Sequence, residues 1–149
     1  MVNPVLGEKV LDFACGTGGY LTSTINHFIN TGQIKNVEDN QVLQDTIMGI
    51  EKKPLPHMLA ITNLILHDID TPKIIHGNSL TRNVRDYKPV EQVNVIVTNP
   101  PFSGIEEEGI ETNFPEKFRT KETADLFMVL LMYLLKDGGR AGIVLPDGF

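Results

Sequence analysis

The alternation of strand-like and helix-like segments is the feature of this 149-residue chain that most restricts its fold. Five short apolar runs alternate with longer segments whose apolar residues recur at helical spacing. Such alternation is typical of an α/β domain with a mainly parallel sheet. The predicted strands are Lys9–Ala14, Thr46–Glu51, Lys73–His76, Val93–Thr98 and Arg140–Leu145. The predicted helices are Gly18–Ile29, Val37–Asp45, Pro54 to about His67, and Thr123–Lys136.

One long connection, Ser103–Lys121, follows the fourth predicted strand and contains Glu106-Glu107-Glu108. An acidic run of this kind is most often a solvated loop. A connection of this length in a compact domain is typically functional or disordered, so we predict a mobile loop beside the functional site. The chain ends at Phe149, directly after a predicted buried strand, and we therefore expect a piece of a longer domain whose terminal strands are missing.

Composition excludes several classes of protein. With 41% hydrophobic and 21% charged residues the chain has an ordinary soluble, globular composition. No apolar run approaches the ~20 residues of a membrane span, so we expect a cytoplasmic protein with no membrane partner. The net charge of −6 argues against this piece gripping a polyanion alone, because phosphate binding needs clustered Lys and Arg.

The strongest local signal is Asn99-Pro100-Pro101-Phe102, which follows the apolar run Val93–Thr98 directly. Two prolines remove two backbone donors and fix φ at about −65° twice, so the strand must stop in a stiff turn. That turn presents an amide, which both accepts and donates, and an aromatic ring three residues later. An amide with a ring can hold a flat polar group by its edge and its face. The simpler interpretation is a strand that ends in a turn.

A glycine-rich turn, Asp12-Phe13-Ala14-Cys15-Gly16-Thr17-Gly18-Gly19, joins the first predicted strand to the first predicted helix. Glycines let the backbone approach a ligand closely, and a helix N-terminus offers free N–H groups. The G-x-G-x-x-G dinucleotide pattern fails, because Leu21 stands at its last position. Asp12 could meet a cationic ligand group at the end of the strand. The alternative is a plain turn without a ligand.

Two further positions lie at the ends of predicted strands. Glu51 ends the second strand, where a carboxylate in a doubly wound fold is placed to accept hydrogen bonds from both ribose hydroxyls. Gly77-Asn78-Ser79 follows the third strand and could contact an adenine edge. The simpler interpretations are a solvated surface carboxylate and a plain turn.

The remaining reactive side chains indicate no other chemistry. The four histidines show no metal-ligand spacing, so we predict no metal site. Neither a nucleophile elbow nor a Walker A sequence is present. Cys15, the only cysteine, cannot form an internal disulfide, and its small neighbours predict a packing residue and not a nucleophile.

Taken in order, these elements resemble those of S-adenosylmethionine-dependent adenine-N6 DNA methyltransferases, and among them the modification subunit of type I restriction–modification systems. The Asn-Pro-Pro-Phe element is specific for amino methylation, whereas the glycine-rich element indicates only cofactor binding. The resemblance covers nearly the whole chain and implies a doubly wound, Rossmann-like sheet of order 3-2-1-4-5. The matching elements are Asp12–Gly19, Glu51, Gly77–Leu80 and Asn99–Phe102, supported by Asn63–His67 and Gly138–Gly148.

The resemblance also implies roles for individual residues. The glycine-rich turn would line the methionine end of S-adenosylmethionine, Glu51 would hold the ribose, and Asn78 would meet the adenine. Asn99 and the Pro100 carbonyl would accept hydrogen bonds from the target amino group, and Phe102 would stack on the extruded base. The implied cofactor-binding residues are Asp12, Ala14, Gly16, Thr17, Gly18, Gly19, Glu51, Asn78 and Ser79. The implied catalytic residues are Asn99, Pro100, Pro101 and Phe102.

Several departures from the family pattern affect these expectations. Phe13 stands where the family often has Pro, and Asn78 where it commonly has Asp, so the adenine contact keeps an acceptor but loses a charge. The aromatic-Thr-Pro segment that covers the cofactor has no counterpart in Met1–Glu8. In type I systems a separate specificity subunit reads the DNA. The expected partners are therefore DNA, through the complete protein, and the specificity and restriction subunits, and we expect the isolated piece to be inactive.

Two other functions stay open. Asn-Pro-Pro followed by an aromatic residue also fits a protein-glutamine or other amino methyltransferase, although Tyr is the more usual fourth residue there. A catalytically silent, cofactor-binding module of a larger complex is the alternative from another class.

Overall fold

A computed structural model of the chain describes residues 1–102, 104 and 106–145. Over these residues five parallel strands form one sheet in the order β3-β2-β1-β4-β5. The strands are β1 (Val10–Asp12), β2 (Ile47–Glu51), β3 (Lys73–His76), β4 (Val93–Thr98) and β5 (Leu135–Ile143). The helices are α1 (Gly19–Asn30), α2 (Val37–Thr46), α3 (Pro54–Ile65) and α4 (Thr123–Leu134). The predicted α/β class and strand order 3-2-1-4-5 are confirmed.

Two apolar cores lie on opposite faces of the sheet. Val10 and Val95 belong to the core that α1 and α3 complete, whereas Leu11 and Ile96 belong to the core that α4 completes. Successive strand residues point to opposite faces, so one strand supplies both cores. Because both faces of β1 and β4 are covered, buried apolar residues follow one another without alternation at Val10-Leu11 and at Val95–Val97.

Local sequence explains where the helices begin. The Asn36 side chain accepts a hydrogen bond from the Asp39 backbone N–H at 2.8 Å and so caps α2. Pro54 opens α3 at a position where its missing N–H costs no helical bond. Every helix in the described part of the chain falls short of the length and apolar character that a bilayer crossing requires.

The order of the strands reverses between β1 and β4. β2 and β3 extend the sheet on one side of β1, and β4 and β5 extend it on the other. Chain connections therefore leave β1 and β4 in opposite directions, which opens a crevice at their carboxyl ends. The last residue of β1 is Asp12 and the residue after β4 is Asn99, so the topology brings the two main sequence signals to one crevice.

The boundary between the fourth helix and the fifth strand differs from the prediction. α4 ends at Leu134, not Lys136, and β5 begins at once from Leu135. Its pairing with β4 is interrupted after Leu135 and resumes at Arg140. A Cβ at Gly139 would lie 2.9 Å from two backbone carbonyl oxygens, one of them in β4. The glycine pair therefore belongs to a bulge that passes close to β4, and it does not close the helix.

The connection between β4 and α4 is partly built into the core. Ile110–Asn113 and Glu116–Phe118 form short 3₁₀ helices, and Ile110 and Phe114 are buried against the α4 side of the sheet. The second half of this connection is thus not a structureless segment, and its predicted mobility stays a prediction. Two predicted segments extend outside the described residues. These are the first residue of the long connection, Ser103, and the last part of the segment that supports the family resemblance, Pro146–Gly148.

Candidate active site

Two cavities open at the crevice, and Asn99 lines both of them. The first, with a volume of about 340 Å³, extends over the carboxyl ends of β2 and β3 and is called here the β2–β3 cavity. The second, of about 480 Å³, lies along the glycine-rich turn and is called the glycine-turn cavity. Ala14 and Gly16 also line both. The turn and Asn99 therefore form the wall between two adjoining spaces.

The structure brings most of the predicted site residues to these cavities. In addition to the shared residues, the β2–β3 cavity is lined by Glu51, Asn78, Ser79 and Pro101. The glycine-turn cavity is likewise lined by Asp12, Thr17 and Gly19. Gly18, Pro100 and Phe102 line neither cavity.

Positive φ angles shape the glycine-rich turn. Gly16 has φ +55° and Gly18 has φ +85°, a region in which residues with a Cβ are strained. A Cβ at Gly16 would meet nothing within 4 Å, so the turn leaves open space at that point. A Cβ at Gly18 would lie 3.5 Å from the Cα of Ala60, an ordinary van der Waals distance. Glycine is therefore favoured at both positions by the positive φ angle and not by a lack of space.

Glu51 lies in the β2–β3 cavity with both carboxylate oxygens already hydrogen bonded. Oε2 accepts from the Gly16 N–H at 2.9 Å, and Oε1 accepts from the Lys53 N–H at 2.7 Å. Each oxygen of a carboxylate has a second lone pair, so both can still accept from a ligand. Glu51 is thus not a freely solvated side chain: it fixes the glycine-rich turn and lines the cavity.

Asp12 is almost completely buried, with 1% of its surface exposed. Its Oδ1 accepts from the Thr98 hydroxyl at 2.7 Å and from the Ala14 N–H at 3.1 Å. Burial raises the pKa of the Asp12 carboxyl to about 6, although these two hydrogen bonds lower it, and the negative charge of Glu51 raises it further. The Asp12–Thr98 bond ties the end of β1 to the residue before Asn99.

The pH dependence of stability tests this burial. The pKa of Asp12 is about 6 in the folded chain and 3.8 for an ordinary aspartate, so the folded chain keeps a proton that the unfolded chain releases. The resulting contribution to the free energy of unfolding is complete below about pH 4 and is lost as pH rises through about 6, a change of roughly 3 kcal/mol. Asp12→Asn cannot ionise but keeps an oxygen for Thr98 and Ala14. We expect urea unfolding to show no such loss in this variant.

The measured quantity is the difference in free energy of unfolding between the unsubstituted chain and Asp12→Asn. The free energy of unfolding of the unsubstituted chain minus that of Asp12→Asn should fall between about pH 4.5 and about pH 7.5. Asp70→Asn removes an exposed carboxylate and controls for the charge change as such. A difference that stays constant across this range would show that Asp12 is not buried as described.

The segment after β3 has its polar groups engaged. The Ser79 hydroxyl is buried and donates to the Phe13 carbonyl oxygen at 2.5 Å, so it joins the ends of β3 and β1. Asn78 Oδ1 accepts from the Leu80 N–H at 3.0 Å, and Nδ2 donates to Glu106 Oε2 at 3.0 Å. Both side chains therefore build the cavity wall through contacts within the protein.

The Asn-Pro-Pro-Phe segment presents its amide and its ring outward. Asn99 and Pro101 are exposed, Pro100 is buried, and 44% of the Phe102 surface is exposed. The buried Pro100 anchors the turn at the end of β4, where it can donate no hydrogen bond and ends the strand. A large exposed aromatic beside a cavity wall is available to stack on a planar group.

Two features of the site were missed from the sequence. Glu106, predicted to lie in a solvated loop, has a side chain only 12% exposed that lines the β2–β3 cavity. Phe13 stacks on Phe127 with ring centroids 5.3 Å apart, and both rings line the same cavity. Phe127 belongs to the predicted apolar helix, but its pairing with Phe13 depends on how α4 packs on the sheet.

Cys15 packs in the core that α1 and α3 complete. Burial raises the pKa of its thiol to about 12, and the charges of Asp12 and Glu51 add to that shift. The thiol is therefore protonated at neutral pH, and a thiolate is the nucleophilic form of cysteine. This supports the prediction of a packing residue.

Comparison with known proteins identifies the family. A family model described as N-6 DNA Methylase matches the chain over residues 1–149. The chain belongs to the N-6 DNA methylase family. Asn99 and the glycine-rich turn are therefore parts of an N-6 DNA methylase domain.

Individual relatives of this domain are methylase subunits of type I restriction enzymes. The EcoEI methylase subunit of Escherichia coli is 51% identical over 99% of this chain and 30% of that subunit. A solved structure from Vibrio vulnificus YJ016, a modification subunit assigned to a type I restriction enzyme, is similar to this chain, with 47% sequence identity and a TM-score of 0.90. The match covers 98% of this chain and 31% of that subunit. The EcoKI M protein of E. coli K12 is 26% identical, with a TM-score of 0.80 over 98% and 31% of the two chains.

These comparisons confirm the predicted resemblance to type I modification subunits and the methyltransferase type of the sheet. The chain spans less than a third of the length of the relatives named above. The match therefore concerns the domain built around Asn99 and Glu51, and it says nothing about the rest of those proteins.

Proposed function

We propose that this domain is the catalytic core of an adenine-N6 DNA methyltransferase that uses S-adenosylmethionine within a type I restriction–modification system. The observation that carries the proposal is the position of Asn99, in the wall between a cavity that offers a carboxylate for a ribose and a cavity along a glycine-rich turn. An acceptor for an amino group thus lies beside two spaces suited to the two ends of a methyl donor.

The residues present fit that donor. Cβ atoms at Gly16 and Gly19 would meet nothing within 4 Å, so the backbone of the turn borders open space. The Glu51 carboxylate, held by the Gly16 and Lys53 N–H groups, keeps lone pairs for two vicinal hydroxyls. When bound, S-adenosylmethionine supplies a methyl group activated by its positively charged sulfur. Asp12 and the glycine-rich turn would line its methionine end.

Asn99 would hold the target amine. The exocyclic nitrogen of adenine is a poor nucleophile because its lone pair is delocalised into the ring. Acceptors at the Asn99 side chain and the Pro100 carbonyl would bind its two hydrogens and direct the lone pair away from the ring. The two prolines keep these acceptors fixed, so little reorganisation is needed during the reaction.

Phe102 would stack on the extruded base. A target base inside a duplex is out of reach, so enzymes of this kind take it out of the stack and bind its edge and its face. The exposed ring of Phe102 and the exposed amide of Asn99 are three positions apart on a rigid turn. Direct transfer needs no covalent intermediate, which agrees with the protonated, buried thiol of Cys15.

The net charge of −6 supports a function shared with other subunits. A domain of this sign does not supply the clustered cations that bind DNA phosphates. We therefore assign DNA binding to the rest of the protein and to a specificity subunit, and DNA cleavage to a restriction subunit. This division would leave the present domain with cofactor binding and methyl transfer.

Labelled methyl transfer tests the proposed function. The full chain and its specificity partner are incubated with duplex DNA and S-adenosylmethionine labelled on the methyl group. We expect the label to appear in DNA as N6-methyladenine after digestion to nucleosides. Label found in protein would reject the DNA assignment in favour of an amino methyltransferase that acts on glutamine. Cofactor binding with no transfer to any acceptor would favour a silent module.

A further inference from the structure

Glu106 is turned into the protein although it belongs to an acidic run in a loop. Its side chain is 12% exposed, whereas that of the neighbouring Glu107 is 74% exposed. Glu106 lines the β2–β3 cavity together with Glu51 and Asn78. A partly buried carboxylate loses solvation, so contacts are needed that hold it there.

One carboxylate oxygen of Glu106 is held by the cavity wall. Oε2 accepts from Asn78 Nδ2 at 3.0 Å and lies 3.4 Å from the Lys52 ammonium nitrogen. Lys52 also reaches Glu107 at 3.3 Å, on the solvent side. Asn78 and Lys52 follow the ends of two adjacent strands, β3 and β2. Glu106 is thus fixed above the point where these strands end.

The other oxygen of Glu106 has one long contact with a donor among the described residues. Oε1 lies 3.5 Å from Thr123 Oγ1. That hydroxyl has one proton and directs it to the Gly104 carbonyl oxygen at 2.9 Å, the shorter contact. Oε1 therefore keeps lone pairs that can accept a hydrogen bond from a ligand in the cavity that Glu106 lines.

Asn78 is already engaged in the turn that it begins. Its Oδ1 accepts from the Leu80 N–H, and its Nδ2 donates to Glu106. Since one amide group serves both neighbours, its orientation is fixed by the protein. The charged acceptor at this end of the cavity is accordingly Glu106.

We infer that Glu106 is the residue that reads the amino group of the cofactor's adenine, with Asn78 and Lys52 as the residues that position it. This inference rests on the proposed function. Glu51 at the end of β2 pairs in register with His76 at the end of β3. A ribose held at Glu51 would therefore lie next to the segment 77–79 and Glu106, which line the same cavity. The base would then lie between the Glu51 end of the cavity and Oε1 of Glu106.

The chemistry of the base makes the inference testable. Adenine presents an amino donor at its sixth position, which a carboxylate oxygen accepts. Hypoxanthine presents a carbonyl oxygen there, which is an acceptor and repels a carboxylate. A site that reads the amino group should therefore discriminate strongly between the two bases, because hypoxanthine sets its carbonyl oxygen against the carboxylate oxygen to which adenine donates a hydrogen bond.

The experiment compares the dissociation constants of S-adenosylhomocysteine and S-inosylhomocysteine by titration calorimetry on the full chain. We expect the adenosine ligand to bind more tightly, by on the order of 10- to 100-fold, to the unsubstituted protein. Glu106→Gln can present either a carbonyl or an amino group to the base, so this ratio should fall about tenfold. Glu106→Asp keeps a carboxylate, and we expect weaker binding with a ratio above that of Glu106→Gln.

Glu107→Gln is the matched control. It removes the same charge one residue away and shares the contact with Lys52, but it does not line the cavity, so the ratio should stay that of the unsubstituted protein. An unchanged ratio in Glu106→Gln, with normal binding of the adenosine ligand to the parent, would overturn this inference alone. Failure of the parent to bind either ligand would overturn the proposed function as well.

Discussion

Asn99→Ala is expected to reduce methyl transfer to DNA by about a thousandfold while the affinity for the cofactor stays nearly unchanged. The substitution removes the side-chain acceptor for the target amine and leaves the backbone turn at Pro100-Pro101 in place. Asn99 is exposed, so the fold should be unaffected. The measurements are initial rates of labelled methyl transfer and calorimetric binding of S-adenosylhomocysteine.

A selective loss of rate is what distinguishes a catalytic role for Asn99. Asn40→Ala, an exposed asparagine in α2, is the matched control and should transfer methyl groups at the parental rate. Transfer by Asn99→Ala within a few-fold of the parent would contradict the role of this amide. A loss of cofactor binding of similar size to the loss of rate would instead make Asn99 part of the cofactor site.

Glu51→Ala is expected to weaken binding of S-adenosylhomocysteine by about 100-fold, because it removes a charged acceptor for two hydroxyl groups. The alanine also releases the Gly16 and Lys53 N–H groups, so part of the loss would come from the turn. Glu51→Gln keeps the shape of the side chain and one acceptor oxygen. It should therefore lose less affinity than the alanine variant, about tenfold.

Both Glu51 variants are measured by titration calorimetry. Glu38→Ala, an exposed glutamate in the first turn of α2, is the matched control and should bind as the parent does. If S-adenosylhomocysteine binds tightly to the parent and equally tightly to Glu51→Ala, Glu51 does not hold the ribose. The loss of affinity in Glu51→Gln measures removal of the charge. The additional loss in Glu51→Ala measures removal of the remaining acceptor and of the contacts that hold the turn.

The site also depends on a link between its two halves that is visible only in three dimensions. Thr98, the last residue of β4, donates to Asp12, the last residue of β1, and both are buried. The link joins the strand that ends in Asn99 to the strand that ends in the glycine-rich turn. The Oδ1 of Asp12 serves this internal bond and the residue lines the glycine-turn cavity, so its contact with a cationic ligand group stays a prediction.

Short-range patterns were sufficient for most of the fold. β3 and β4 begin and end at the predicted residues, because polar, glycine or proline residues bound both runs. The start of β5 was wrong, because Gly138-Gly139 is equally typical of a helix end and of a bulge. What decides between them is the close approach of Gly139 to the backbone of β4, which is a contact between strands distant in sequence.

The same distinction applies to the site. The residue types and order of the glycine-rich turn, Glu51 and Asn99 place candidate ligand groups at strand ends, because strand ends and hydrogen-bonding groups follow from local sequence. Their roles toward a cofactor and a target base are implied by the family resemblance that these residues carry. The role of Glu106 does not follow from local sequence, since its partners Asn78 and Lys52 lie 28 and 54 residues away in the chain. Burial of a carboxylate depends on which elements pack around it, and only the folded sheet brings β2, β3 and this loop together.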